Sequence, residues 1–502
     1  MKIFSAAQIK QWDAFTAANE PVTSINLMER AAAKCVEWFT ENNYDKKNFQ
    51  IFCGKGNNGG DGLAIARLLI QKKIAATVYI LEFGNIGSQD FQNNLAKLHE
   101  CSTDIHFIQS PEFFPAIKSD AVIIDALFGT GLNKPLEGIS AALVNHINNC
   151  NAAIVAIDLP SGLAADSSSK NNAVIKATHT LSFQNYKLSF LLPENENYCG
   201  IIHILNIGLH NKFEKEEAAV FELTDLNFIK TIYKPRNKFS HKGNYGHAAL
   251  LCGSYGMMGA AILSANACLR SGVGKLTCFV PKCGYGILQT AVPEAMCLVS
   301  GDDYILSAHE IKKFDAFGIG PGIGLHPSHA ILLKEIFQQI NKPILLDADA
   351  LNIIGDNAAL LSLIPANSIL TPHPKEFERL FGATKNDFDR IKLASEKSKE
   401  LHLYIVLKGH YTFIATPEGK GYFNDTGNAG MATAGSGDVL SGIITGLLAQ
   451  RYTPLQACLM GVYLHGLAGD FAAAKLSPEA MIAGDIIQYT GEGFKILSSS
   501  VN

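Results

Sequence analysis

The sequence predicts an α/β protein of two domains, each built on a mostly parallel sheet with helices on both faces. Three observations carry this. The chain has 502 residues, more than one ordinary core accommodates. Short β-branched runs alternate with helix-period segments, in two separate series. Between the series, from about 211 to 235, the chain is charged and weakly patterned, so the domains are placed at 1–215 and 225–502.

Each element follows from its own pattern. SAAQIKQWDAFTAA and SINLMERAAAKCVEWFTEN read as two helices. Strands follow at NFQIFC, ATVYILE, TDIHFI, DAVIIDALFG, AAIVAIDLPSG, ATHTLSF and GIIHILNIG, with helix-period segments such as GLAIARLLIQKK between them. The second series runs GHAALLCG, KLTCFVP, AMCLVS, DAFGIGPG, PILLDADALN, SILTPH and LYIVLKG. HYTFIATPEG and KGYFND read as two hairpin-like pieces, and the chain ends in apolar helices.

Bulk properties exclude several classes. Net charge is −4 with no basic tract, so a nucleic-acid partner is not expected. The N-terminus has no signal-peptide core, and no stretch approaches the roughly 20 apolar residues of a membrane helix. The eleven Cys are scattered without a C-x-x-C pair, which reads as reduced thiols in a cytoplasmic protein and argues against zinc.

Chemistry concentrates after the apolar runs, where ligands bind in open α/β sheets. In GKGNNGGDG, Gly54, Gly56 and Gly59 spell G-x-G-x-x-G between a strand and a helix, and Glu82 follows some twenty residues on. That is the outline of a dinucleotide-binding fingerprint and would suit a dehydrogenase. Asn57, Asn58 and Asp61 are not needed by it. Asp125 ends a strand ahead of Gly129, Thr130 and Gly131; Asp158 ends the next, ahead of Pro160, Ser161 and Gly162. Buried carboxylates need a partner: a cation, a helix N-terminus or a ligand hydroxyl. Alternatively these are caps or turn residues.

In the second series, NDTGNAGMATAGSGDVLSG places a Gly-rich turn before an apolar helix, an anion-binding nest without the Walker lysine. Asp438 there is either a helix cap or a general base beside a phosphate. Lys408, Gly409, His410 and Thr412 follow a strand as a phosphate or nucleobase ledge. His373 lies between two prolines, which fix its backbone for binding or for a surface turn.

Taken together, GKGNNGGDG, DALFGTGLNKP and IDLPSG resemble the NAD(P)H-hydrate epimerases. SHKGNYGHAALLCGS, MGAAILSANACLRSGVGK, GPGIG, DADALN, TPHPKEFERL, KGHYT and NAGMATAGSGDVLSG resemble the ADP-dependent NAD(P)H-hydrate dehydratases, relatives of ribokinase-like small-molecule kinases. The resemblance implies an N-terminal Rossmann-like three-layer sandwich and a C-terminal ribokinase-like three-layer α/β/α domain. It implies repair of hydrated NADH and NADPH: epimerisation of the R and S hydrates, then dehydration of the S form with ADP giving AMP and phosphate. It carries over an epimerase substrate loop at Asn57, Asn58, Gly59, Gly60 and Asp61. A second loop runs over Gly129, Thr130, Gly131, Leu132, Asn133, Lys134 and Pro135, with a substrate carboxylate at Asp158. It places potassium at Asn58, Asp125 and Ser161. For the dehydratase it implies hydrate contacts at Ala261, Gly322, His373 and Asp438, with Ala260 the alternative to Ala261. The ADP/AMP contacts are Lys408, Gly409, His410, Tyr411, Thr412 and Gly437, with magnesium on the ADP phosphates. Asp438 and Asp158 are the expected catalytic residues, and a homo-oligomer is implied. The alternative is a ribokinase-like small-molecule kinase with an N-terminal binding or dimerisation module.

Overall fold

The computed structural model describes residues 1–20, 22–82, 84 and 86–499. The chain divides into two compact units: Lys2–Ala219 with Asn386–Phe388, and Val220–Lys385 with Met1 and the chain from Asp389 onward.

In the first unit, helices Ala6–Asn19 and Ser24–Glu41 precede a sheet of seven parallel strands. Their spatial order is Ile105–Ile108, Ala76–Leu81, Phe49–Cys53, Val122–Ala126, Ala153–Ile157, His179–Phe183, Ile201–Leu205. Successive side chains on a strand point to opposite faces. Accordingly Ile51, Cys53 and Ile124 enter one core, while Phe52, Ile123 and Ala156 enter another. Apolar residues on both faces explain why these strands read as unbroken apolar runs. The chain runs outward from Phe49–Cys53, then returns to Val122–Ala126 on its other side. The switch point therefore lies between these two strands, and a ligand crevice opens beyond their carboxyl ends.

In the second unit the order is Phe221–Thr224, Gly421–Asn424, Thr412–Ala415, Tyr404–Leu407, Ile369–Leu370, Leu345–Leu346, Ala316–Ile319, His247–Leu251, Lys275–Val280, Met296–Val299. The strands from Tyr404–Leu407 to Met296–Val299 are parallel. Thr412–Ala415 and Gly421–Asn424 form an antiparallel hairpin beside them. Ala248 and Leu250 face one core, Ala249 and Leu251 the other. Here the switch point lies between His247–Leu251 and Ala316–Ile319. Helix Ser436–Ala449 is buried along almost its whole length. It lies tight against helix Met258–Arg270, because a Cβ on Gly442 would come within 2.2 Å of the Ser264 carbonyl oxygen.

Two expectations change. The stretch around 211–235 carries helix Asn211–Glu216, strand Phe221–Thr224 and helix Leu226–Ile232. Each is too short to show a period, and each buries only one or two residues. Helix Pro454–Leu476 is, by length and composition, long and apolar enough to cross a membrane. Its apolar window is 72% buried inside the unit, where Leu459, Leu464 and Ala468 join the core.

Candidate active sites

The first crevice is a cavity of about 500 Å³ at the switch point of the first unit. Its floor is the loop after Cys53. A Cβ on Gly54 would lie 1.9 Å from the Leu127 carbonyl oxygen, and one on Gly59 would lie 1.7 Å from that of Gly54. The fingerprint glycines therefore let backbone touch backbone. Glu82, the acid of the dinucleotide fingerprint, forms an ion pair with Lys55.

Asn57, Asn58, Asp61, Gly129–Asn133 and Asp158 line the cavity. Gly59 and Gly60 are buried near it without lining it, while Lys134 and Pro135 are exposed away from it. Asp125 is fully buried: its oxygens accept from the Ser161 hydroxyl at 2.5 Å, the Ser161 amide at 2.7 Å and the Leu127 amide at 3.3 Å. Burial pushes its carboxyl up to about 6, against the pull of these donors. Asn58 is also buried, and neither its amide oxygen nor its amide nitrogen has a hydrogen-bond partner. A Cβ on Gly129 would meet Asn58 Cγ at 3.3 Å and Asp158 Oδ2 at 3.4 Å, so these two side chains adjoin the same loop. An orphaned buried amide is costly. Together with a carboxylate and a hydroxyl it supplies the oxygen donors a hard cation takes.

Lys187 is a site residue that sequence reasoning missed. It is 1% exposed, and its Nζ contacts Asp158 Oδ1 at 3.0 Å, the Phe183 carbonyl at 2.9 Å and the Asn185 carbonyl at 3.3 Å. Three acceptors use all three ammonium hydrogens. Asp158 itself sits at φ 65°, in the left-handed region. Lys187 follows strand His179–Phe183, so the same rule that found Asp158 also marks it. Asp13, on helix Ala6–Asn19, lines the cavity too and carries no such mark.

The second site lies at the start of helix Ser436–Ala449. Gly435 is its N-cap at φ 90°, so Asp438 is in the first turn and is not the cap. Burial first, then the Asp347 carboxylate, pushes the Asp438 carboxyl up to about 7, against the pull of Lys408. Lys408 Nζ lies 2.8 Å from Asp347 Oδ1 and 3.8 Å from Glu376 Oε2. Burial lowers Lys408, but these carboxylates outweigh it and hold the ammonium above its ordinary value. Ser441 donates to the other Asp347 oxygen. A Cβ on Gly437 would lie 3.3 Å from Lys408 Nζ, so the Gly-rich turn and this ion pair share one place. The buried His465 braces the turn through its Nε2, 3.0 Å from the Ser436 carbonyl.

His373 is the N-cap of helix Pro374–Phe381: its Nδ1 accepts from the Lys375 amide at 3.1 Å and the Glu376 amide at 3.3 Å. An accepting Nδ1 leaves the proton on Nε2. Burial and then Lys408 keep this imidazole below its ordinary pKa. Gly322, at φ 63°, lies against Met257 and Ala260, whereas Ala261 is fully buried and adjoins Gly253. The structure thus brings Ala260, the neighbour of the expected Ala261, to Gly322. Lys408 is set among the carboxylates, while Gly409 and His410 are exposed, His410 stacking on Tyr411 with centroids 4.2 Å apart. Asp347 and Glu376 were missed, although Asp347 ends an apolar run as Asp125 does.

Fold and sites together define a two-enzyme protein, one candidate site per unit. A family described as YjeF-related protein N-terminus matches residues 24–189, and one described as NAD(P)H-hydrate dehydratase matches 248–491. The chain is 34% identical over 507 residues to the bifunctional NAD(P)H-hydrate repair enzyme Nnr of Moorella thermoacetica, covering 97% of this chain and 96% of that one. It is 34% identical over 469 residues to the Nnr of Escherichia coli, covering 93% and 88%. An ADP/ATP-dependent NAD(P)H-hydrate dehydratase from Bacillus subtilis, co-crystallised with ATP/Mg2+, is 31% identical and covers 55% of this chain and 98% of its own, with a TM-score of 0.49. The chain belongs to the bifunctional NAD(P)H-hydrate repair enzyme family. The dehydrogenase reading is set aside.

Proposed function

We propose that the first unit interconverts the R and S epimers of NADH hydrate and NADPH hydrate, and that the second dehydrates the S form with ADP, giving AMP and phosphate. The observation that carries this is Asp438: a carboxyl tuned to about 7 at a Gly-rich helix start, beside Lys408 and Gly437. Hydroxide leaves the ring poorly at neutral pH. Asp438 takes the proton from the ring hydroxyl as that oxygen attacks phosphorus. The Gly435–Gly437 amides hold charge on the transferring phosphoryl. The phosphorylated oxygen then departs with help from the ring nitrogen lone pair. His373, Gly322 and the Ala260–Ala261 pair position the hydrate; Lys408–Thr412 and Gly437 hold ADP. Magnesium brought with ADP would neutralise part of the phosphate charge beside Lys408.

In the first unit, Asn57, Asn58, Asp61 and Gly129–Asn133 hold the dinucleotide, on a loop that Gly59 and Gly60 shape, and Asp158 performs acid–base work on the hydrated ring carbon. Asn58, Asp125 and Ser161 would hold potassium, a reading supported by the orphaned Asn58 amide. A homo-oligomer belongs to the same reading: Met296–Val299 is the last strand of its sheet and exposes Met296, Leu298 and Val299. So does the cytoplasm, where the eleven free cysteines stay reduced.

The test is incubation with mixed hydrate epimers and ADP. Return of reduced-nicotinamide absorbance from the whole mixture, faster than spontaneous epimerisation, supports both activities. Conversion that stops at the S fraction removes the epimerase. A stable phosphorylated product replaces the dehydratase with a kinase.

A further inference from the structure

Epimerisation at a hydroxyl-bearing ring carbon needs two proton-transfer groups, because the oxygen leaves one face of the ring and returns on the other. Resting on the epimerase reading above, we propose that Asp13 is the second acid–base residue of that site, working from the helix wall of the cavity while Asp158 works from the strand ends.

The argument begins with the helix. Ala6, Ile9, Lys10 and Asp13 of helix Ala6–Asn19 all line the cavity, the i, i+3, i+4, i+7 spacing of a single helix face. That face gives the cavity a wall separate from the Gly-rich loops. Asp13 is its only carboxylate. Lys187 commits its three hydrogens to Asp158 and two carbonyls, so it has no hydrogen left for a direct bond to Asp13. The charged groups that act on Asp13 are Asp158 and Lys187 from the strand ends. Asp13 in turn acts on Asp61 of helix Asn57–Gln71. Lys10 adjoins it on its own helix. Protein crowding around the carboxyl, then the charge of Asp158, push Asp13 up to about 6, with Lys187 pulling the other way. Two carboxyls thus line one cavity in different settings, Asp158 held by the Lys187 ammonium at the strand ends and Asp13 on the helix wall, the arrangement of an acid paired with a base.

The step balances. The C–O bond at the ring carbon breaks as the ring nitrogen lone pair forms a C=N bond. The Asp13 proton goes to the departing oxygen, which leaves as water. Water then adds to the other face of the same carbon, the C=N pair returns to nitrogen, and the Asp158 carboxylate takes the proton. Asp13, which keeps solvent contact, is reprotonated from solvent, and Asp158 releases its proton the same way. The reverse direction exchanges the two roles.

The experiment uses the full chain with Asp13→Asn, Asp13→Glu and Asp61→Asn. Epimer exchange is followed by chromatography of R and S NADPH hydrate, with spontaneous exchange subtracted, and NADP+ binding is measured by calorimetry. Asp13→Asn is expected to lower kcat for exchange by about 10²–10⁴-fold while KM and NADP+ affinity stay within about threefold. The high-pH limb of the exchange profile is expected to disappear in Asp13→Asn and to return, shifted, in Asp13→Glu. Exchange by Asp13→Asn within about threefold of wild type overturns the proposal. So does a loss confined to KM and NADP+ affinity, which marks a binding or structural role. So does a loss seen only in Asp61→Asn. A wild-type chain that shows no exchange at all refutes the epimerase reading itself.

Discussion

Replacing Asp438 by Asn keeps its size and removes its ability to take a proton. A positioned general base contributes about 10²–10⁴-fold, so the variant should lose about 3–5 kcal/mol of transition-state stabilisation. The native pH profile supplies a second measure. Asp438 must be ionised to act, and burial with the Asp347 charge has raised it to about 7. At pH 7 about half the sites are competent, at pH 6 about a tenth, and at pH 5 about a hundredth. Dehydratase kcat/KM should therefore rise about tenfold per pH unit up to about 7 and level off above it. Lys408→Met removes the cation that pulls Asp438 down, so its rising limb should move to higher pH. The assay is return of reduced-nicotinamide absorbance from S hydrate and ADP between pH 5.5 and 8.5. A flat wild-type profile, or an Asp438→Asn enzyme within about tenfold of wild type, refutes the assignment of Asp438 as the base.

Three further outcomes are expected. Asp125→Asn and Ser161→Ala should weaken the response of epimer exchange to potassium at least about tenfold, read by replacing KCl with choline chloride; an unchanged response removes these residues from the ion's ligands. Gly59→Ala puts a Cβ 1.7 Å from the Gly54 carbonyl oxygen, backbone against backbone, so thermal unfolding should show a loss of at least about 3 kcal/mol. Leu298→Lys on the exposed edge strand should give a smaller particle by light scattering, and an unaltered mass places the oligomer contact elsewhere.

What the sequence revealed, and what it hid, follows from where each side chain stands. Strands buried on both faces leave unbroken apolar runs, so the parallel strands of both sheets are visible in advance, whereas the short strand Phe221–Thr224 is not. Residues directly after such runs are visible too, which covers Asp125, Asp158 and, by the same rule, Lys187 and Asp347. Asp13 is not, because it sits mid-helix among other polar residues and gains its setting only when the helix closes over the cavity. Lys408 shows another limit. Its place after a strand marked it as a ledge for the nucleotide, but only folding brings Asp347 and Glu376, distant in sequence, to its ammonium. His373 looked like a loop residue because of its prolines. The second of them occupies the first position of a helix that His373 itself caps, the one place a helix welcomes it.

The left-handed backbone at Asp158 sets directed evolution against function. A residue other than glycine at φ 65° carries a conformational cost of about 1 kcal/mol, which Gly would relieve. A library screened only for survival after heating should therefore enrich Asp158→Gly, provided that the stranded Lys187 is replaced by an apolar residue in the same clone. Such winners would keep the first unit folded and lose its chemistry. Thermostabilisation of this protein has to be screened on epimer exchange, because melting temperature alone rewards the erasure of the site.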